Sequence, residues 1–162
     1  MGASPPAELV RIKKSEYVFL RRLHDAGLVD IAKVDAAIAE VVWARMRLGM
    51  DLLREAALSR DRDGGRPARR ALSMCYYGAY HCARALVLYV KKFDCDSHAE
   101  LPGEVGKIVK GAKELLVRLR GLRNAADYDP YPGQNPEAEV PAAFSEALGF
   151  MEACYEMLPD RG

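Results

Sequence analysis

The sequence predicts an all-α protein, an up-and-down four-helix bundle with an additional N-terminal helix. Apolar residues recur at steps of three and four along most of the 162 residues, and no segment alternates as a half-buried strand does. Loops rich in glycine, proline and charge separate the apolar stretches, and short loops favour antiparallel neighbours. We therefore expect a disordered tail at residues 1–7, a helical extension at residues 8–40 and the bundle at residues 41–158.

Two helices are predicted before residue 60. The first runs from about Glu8 to Asp25 and ends at Gly27, and its apolar side consists of Leu9, Ile12, Phe19 and Leu23. The second runs from about Asp30, which suits an N-cap, to Leu58. Its apolar stripe consists of Val34, Ile38, Val41, Leu48 and Leu52. Gly49 lies in this helix, where a missing side chain would let a neighbouring helix approach closely.

Three further helices complete the prediction. One runs from about Ala68 to Lys92, with Pro67 in its first turn, and its buried stripe consists of Leu72, Cys75, Ala79, Cys82, Leu86 and Val90. Another follows the loop DCDSHAELPG and is predicted to run unbroken from about Glu104 to Arg123. The last is expected to begin near Val140, because proline suits the start of a helix and Pro141 follows.

Cysteine and charge usage narrow the classes of function. The four cysteines, Cys75, Cys82, Cys95 and Cys154, include no C-x-x-C pair, and a reduced, cytoplasmic protein is expected. Cys75 and Cys82 lie seven residues apart in an apolar helical pattern and are predicted to be small core residues. No apolar run approaches the roughly 20 residues of a membrane span, so no membrane partner is expected.

The net charge of +1 conceals an uneven distribution of charge along the chain. Arg45 to Lys92 contains eleven basic and four acidic residues, whereas the segment after Asn124 contains eight acidic residues and one basic residue. A basic surface on the middle helices would suit phosphate or nucleic acid, and solvated helix faces that neutralise one another would give the same counts.

The sequence lacks the motifs of several common metal sites, nucleotide-binding loops and hydrolases. Asp94, Cys95, Asp96 and His98 contain metal-ligating atoms but not the spacing of a zinc site, so no metal is predicted. The glycine-rich nucleotide loops and the G-x-S-x-G motif of serine hydrolases are missing from the sequence, and no cofactor is predicted.

Two polar sets accompany the apolar pattern. Tyr77, His81 and Arg84 follow i, i+4, i+7 spacing and share one face of the third predicted helix, where they could bind and cleave a phosphodiester. The same three residues would also suit an interface tyrosine, a buried histidine and a solvated arginine. The second set lies in LRGLRNAADYDPY, where Arg123, Asn124, Asp127 and Tyr128 could form a site or an ordinary helix end.

Together the two sets resemble the HEPN superfamily, in particular a prokaryotic branch in which A-Y-Y-A-x-F-H-A-A-R-A-L precedes R-x-x-A-D-Y-D. The matching residues here are Tyr76, Tyr77, Tyr80, His81, Ala83, Arg84, Ala85, Leu86, Arg123, Ala126, Asp127, Tyr128 and Asp129. The resemblance covers roughly residues 41–158. It implies a four-helix bundle that forms a homodimer, with the polar motifs of the two subunits facing a shared cleft.

Active members of that superfamily are metal-independent ribonucleases with an R-x(4 to 6)-H motif, in which a base removes the 2′-hydroxyl proton and the arginine stabilises the phosphorane. Here Tyr128 stands where the histidine would be, and a phenol with a pKa of about 10 is a poor base at neutral pH. The resemblance implies as catalytic candidates Arg123, His81 and Tyr128. It implies as nucleotide- or RNA-binding candidates Tyr77, Arg84, Asn124, Asp127 and Tyr131.

The resemblance favours a homodimer that binds nucleotide or RNA phosphate in its cleft. Such a protein would be noncatalytic or would act with a separately encoded nucleotidyltransferase, for which Tyr128 or Tyr131 could be a modification target. The alternative is a metal-independent ribonuclease of the toxin or defence type, with His81 as the base. Dimerisation is expected from the family and from the cluster of Tyr76, Tyr77 and Tyr80.

Overall fold

The structure is a computed structural model that describes residues 6–62, 65–129 and 135–159. These residues form helices and no strand, which confirms the predicted all-α class. The helices are α1 (Ala7–Val10), α2 (Lys14–Asp25), α3 (Ile31–Arg60), α4 (Gly65–Lys91), α5 (Leu101–Gly106), α6 (Ala112–Tyr128) and α7 (Pro136–Glu156). Most of the predicted tail lies outside the described residues, and the division predicted after residue 40 falls within α3 and stays a prediction.

The four long helices α3, α4, α6 and α7 form an up-and-down bundle in which α4 packs against the other three. Contacts between Arg70 and Glu55 near one end of α3 and α4, and between Gly49 and Cys82 farther along, show that these two helices are antiparallel. Arg123 of α6 reaches Tyr77 of α4, and Asp127 reaches Ser73, so α6 is also antiparallel to α4.

The closest approach within the bundle lies where α3 crosses α4. A Cβ atom added to Gly49 would lie 2.5 Å from the Cys82 Sγ and 2.9 Å from the carbonyl oxygen of Gly78. A Cβ atom on Gly78 would lie 2.7 Å from the Leu53 Cγ. The backbones of α3 and α4 therefore meet at two glycines, as predicted for Gly49. All four cysteines are buried free thiols.

The N-terminal region differs from the single helix predicted for Glu8 to Asp25. The chain leaves the helical path between α1 and α2, where Ile12 inserts into the core with 2% of its surface exposed. The Ile12 carbonyl accepts a hydrogen bond from the Asp94 amide, and the Val10 carbonyl accepts one from Arg45. Phe19, predicted to face inward, is 59% exposed, and no other residue of α2 is buried either.

Other boundaries also differ from the prediction. The continuous helix predicted from Glu104 is two helices, since Gly111 adopts a left-handed conformation with φ of +82° immediately before α6. The last helix begins at Pro136 and contains Pro141, because the Asn135 side chain caps it four residues earlier than expected. Leu48, predicted for the core stripe of α3, is exposed, while Met46 and Leu53 are buried.

Candidate functional site

The last two turns of α6 present an arginine that is held in place by four neighbours. Arg123 Nη2 donates to the Tyr77 hydroxyl at 2.7 Å, Nη1 donates to Asn124 Oδ1 at 3.1 Å, and Nε lies 2.7 Å from Asp127 Oδ2. The guanidinium carbon lies 5.2 Å from the ring centre of Tyr77 and 4.9 Å from that of Tyr128. Because α4 supplies Tyr77 and α6 supplies the rest, packing between the two helices fixes the direction of this guanidinium.

Two residues that the sequence did not single out support this geometry. Ser73 lies one turn before Tyr77 on α4, and its hydroxyl donates to Asp127 Oδ1. Arg69, one turn earlier still, donates to the backbone carbonyls of Ala126 at 2.9 Å and Asp129 at 2.7 Å. Arg69 therefore satisfies carbonyl groups at the C-terminal end of α6, where helical hydrogen bonding stops.

A histidine and three tyrosines form an aromatic cluster beside Arg123. The His98 ring stacks on Tyr80 with ring centres 4.3 Å apart, and it meets the edge of Tyr77 at 6.4 Å. His98 Nδ1 lies 2.5 Å from the Tyr76 hydroxyl, and the Tyr80 hydroxyl donates to the Asp96 carbonyl. The loop between α4 and α5 is thereby attached to α4 through its aromatic residues.

The His98 ring is neutral and shares a hydrogen bond with a protonated phenol. Burial raises the pKa of Tyr76 to about 12, so its hydroxyl keeps the proton. Burial first, and then the guanidiniums of Arg120 and Arg123, lower the pKa of His98 and favour the neutral ring. Because a phenol can both donate and accept, the Tyr76 contact suits either neutral tautomer, and Nε2 is a donor in one tautomer and an acceptor in the other.

Arg84, one of the predicted ligand-binding residues, is engaged elsewhere. Its Nη2 and Nε lie 2.6 Å and 3.1 Å from the carboxylate oxygens of Asp94, whose side chain is 3% exposed. Arg45 binds the same carboxylate at 2.7 Å. The two arginines and Asp94 form an interior ion cluster that fastens the segment between α1 and α2, and Arg84 is paired rather than solvated.

His81, the base expected from the resemblance, interacts with the arginines of this ion cluster. Burial and then the charges of Arg84, Arg45 and His98 lower the pKa of His81 to about 4, and its ring packs on Tyr80. Within the described residues its Nδ1 is buried without a hydrogen-bond partner. A ring with this pKa is neutral at pH 7 and is a weaker base than an ordinary imidazole.

The surface outside Arg123 is open to solvent. Tyr128 is 71% exposed, Asn124 is exposed, and the exposed Arg120 donates to the His98 carbonyl at 3.1 Å. Tyr131 lies outside the described residues. Of the predicted site residues, the structure brings together Tyr77, Arg123, Asn124, Asp127 and Tyr128. It adds Ser73, His98 and Arg120; helical spacing could have found Ser73, one turn before Tyr77, and Arg120, one turn before Arg123, but not His98.

This arrangement can bind an anion. Within the described part of the chain, the contacts of Arg123 use at most four of its five N–H donors, so a donor remains for an external oxygen. Among the described residues no group of three His, Cys, Asp or Glu side chains is arranged to hold a metal ion. No described helix is long and apolar enough to cross a lipid bilayer.

Comparisons with protein-family models, with curated proteins and with solved structures find no match to this chain.

Proposed function

We propose that the protein binds the phosphate of RNA or of a nucleotide at the C-terminal end of α6. The observation that carries the proposal is the guanidinium of Arg123, which Tyr77 and Asp127 hold in a fixed direction beside open solvent. A guanidinium that is already oriented loses less conformational entropy when it binds a phosphate than a mobile arginine would.

The groups around Arg123 suit a nucleic-acid ligand. Arg120 adds a second positive charge, and the neutral His98 ring adds a group that can donate or accept a hydrogen bond at Nε2. The ring of Tyr128 is 71% exposed and lies against the guanidinium, which is where a base could stack. Phosphate contact and base stacking would therefore act at neighbouring positions.

The proposed assembly is a homodimer whose two sites face a common cleft, as the HEPN resemblance implies. The aromatic cluster does not support this assembly, because Tyr76 and Tyr80 are buried within one subunit. Support comes instead from the outer face of α6, where Val117 is 56% exposed, Gly121 has open space around it and Tyr128 projects. A separately encoded nucleotidyltransferase remains the proposed partner if the protein does not act alone.

A metal-independent ribonuclease is the second candidate, and His98 is the observation that favours it. In the tautomer with its hydrogen on Nδ1, Nε2 could take the 2′-hydroxyl proton as the 2′-oxygen attacks phosphorus, and Arg123 would stabilise the charge on the phosphorane. When the bond between phosphorus and the 5′-oxygen breaks, the imidazolium would return the proton to the leaving 5′-oxygen. Incubation of single-stranded RNA with the protein in EDTA tests this candidate. Cleavage that is lost in both Arg123→Ala and His98→Ala would support it, and no cleavage above a blank preparation would refute it.

Binding itself is tested by fluorescence anisotropy with a labelled, 2′-O-methylated ten-residue RNA, which a ribonuclease of this kind cannot cut. Arg123→Ala should weaken binding about tenfold or more, because it removes a charge-assisted contact. Arg118→Ala is the matched control, since Arg118 lies on the same helix but pairs with Glu139 and Glu146 of α7. Equal losses in the two variants, or no binding by the wild type, would refute the proposed function.

A further inference from the structure

The carboxylate of Asp127 has a fixed position beside Arg123. Its Oδ2 lies 2.7 Å from Arg123 Nε, and its Oδ1 accepts a hydrogen bond from the hydroxyl of Ser73. Ser73 is buried on α4, with 6% of its surface exposed. Contacts to two different helices therefore keep this negative charge in place, unlike the charge of a freely moving surface carboxylate.

An ionised carboxylate can accept hydrogen bonds but cannot donate one to a phosphate oxygen. Asp127 is thus unsuited to the ligand-contacting role that the sequence resemblance implied for it. It neutralises Arg123 instead, and the net positive charge next to the site comes from Arg120, since His98 is held neutral by burial and by the neighbouring guanidiniums. The site as a whole is matched to a ligand with about one negative charge.

We propose that Asp127 shifts the selectivity of this site towards the phosphodiester of an RNA chain and away from the terminal phosphate of a mononucleotide. The inference rests on the proposed function and decides between the two ligand classes, RNA and nucleotide, that the sequence left open. A phosphodiester carries one negative charge, whereas a terminal phosphate carries about 1.5 to 2 at pH 7. Asp127 is therefore a specificity-determining residue, and it acts by repulsion of the additional charge.

The size of the effect follows from the charges. Two unit charges about 4 Å apart at a water-exposed surface change an affinity by about fivefold. Arg123 and Arg120 attract the additional half to one charge of a terminal phosphate and Asp127 repels it, so the contribution of Asp127 is measured as a change in relative affinity. Because Asp127→Asn removes only the repulsion and keeps an oxygen that can accept from Ser73, the variant should shift the relative affinity by about two- to fivefold towards the terminal phosphate without losing the local geometry.

The test uses adenosine 5′-monophosphate and its methyl ester, which differ by one methyl group and one ionisable oxygen. Each displaces the labelled 2′-O-methylated RNA from the protein at constant ionic strength, and the ratio of the two inhibition constants is measured. Relative to the wild type, Asp127→Asn should shift this ratio by about two- to fivefold in favour of adenosine 5′-monophosphate, and the affinity for the RNA should rise about fivefold.

Two control variants separate charge from structure. Ser73→Ala removes the hydrogen bond to Asp127 but keeps the carboxylate, so the ratio of the two inhibition constants should stay at its wild-type value. Asp25→Asn removes a carboxylate from α2, which packs against α3, and should leave both the ratio and the RNA affinity unchanged.

The outcomes distinguish this inference from the proposed function. A ratio of inhibition constants that is the same in the wild type and in Asp127→Asn, or weaker RNA binding by that variant, would overturn the role of Asp127 while leaving RNA binding established. Failure of the wild type to bind the RNA would refute the proposed function and this inference with it.

Discussion

Replacement of Gly49 by alanine should destabilise the bundle, although alanine is the better helix former. The new Cβ would lie 2.5 Å from the Cys82 Sγ and 2.9 Å from the carbonyl oxygen of Gly78. Both separations are below 3.0 Å, which Cβ atoms essentially never show. The Cys82 side chain could shift, but the Gly78 oxygen belongs to the backbone of α4, so α3 and α4 would have to move apart.

The change in the free energy of unfolding on Gly49→Ala is the balance of two effects. Alanine in place of a helical glycine gains about 0.5–1 kcal/mol. Overpacking of a close helix contact costs about 1–3 kcal/mol. The difference of these ranges is a fall of about 0–2.5 kcal/mol in the free energy of unfolding, which lowers Tm by up to about 10 °C for a chain of this size. Gly149→Ala is the matched control, because the same added atom on α7 has nothing within 4 Å and should raise Tm by about 1–4 °C.

Thermal unfolding followed by circular dichroism, with urea denaturation at 25 °C, measures both variants. The opposite signs are the informative result, since the two substitutions are chemically identical and differ only in their surroundings. If Gly49→Ala raised Tm as Gly149→Ala does, then α3 and α4 would not pack backbone to backbone, and the reasoning would be refuted. The additional Cys82→Ala change should restore part of the lost stability, because it removes the closer of the two contacts.

Three further predictions concern the ion cluster, its histidine and a helix cap. Because burial and the charges of Arg84 and Arg45 lower the pKa of His81 to about 4, the unfolded chain binds more protons between about pH 6.5 and 4, and the free energy of unfolding should fall across that window. His81→Gln should remove about 2 kcal/mol of this acid sensitivity in urea titrations at pH 7 and pH 4.5, and parallel losses in both proteins would contradict the burial of a neutral ring. Asp94→Asn leaves two buried guanidiniums without their carboxylate and should lower the free energy of unfolding by about 3 kcal/mol; wild-type stability in urea would contradict the cluster. Asn135→Ala should cost about 1 kcal/mol, because it removes the acceptor for the Glu137 amide, whereas Asn135→Ser should cost less; identical urea midpoints for the two variants would contradict the cap.

Local patterns predicted the parts of the fold that depend on helical periodicity. Apolar spacing placed the bodies of the four long helices, and Asp30 was confirmed as the N-cap of α3, where its side chain accepts from the Ala32 amide at 3.1 Å. Gly27 was confirmed in a left-handed conformation just after α2, with φ of +73°. Tyr77 could be placed on a polar face of α4 and Arg123 near the end of α6, but their hydrogen bond depends on how the helices pack.

The remaining features depend on contacts between distant segments. Asp94 pairs with Arg84 only because the chain reverses direction after α4, and spacing along the sequence does not reveal that reversal. His98 comes beside Tyr76 and Tyr80 because the loop that carries it folds back over α4. The break before α6 was missed because Ile108 and Val109 keep packing against the core in the turn, so the apolar pattern continues where the helix does not.

The most direct test of the proposed site is a titration of isotopically labelled protein with the 2′-O-methylated RNA, followed by amide and side-chain NMR shifts. We expect the largest changes on Arg123, Asn124 and Tyr128 of α6, on Tyr77 of α4 and on His98, with the Arg123 Nε signal among them. Trp43 of α3 and Tyr155 of α7, which pack against each other, should not shift. Changes centred on another surface, or none at saturating RNA, would contradict the claim that the end of α6 is a phosphate-binding site.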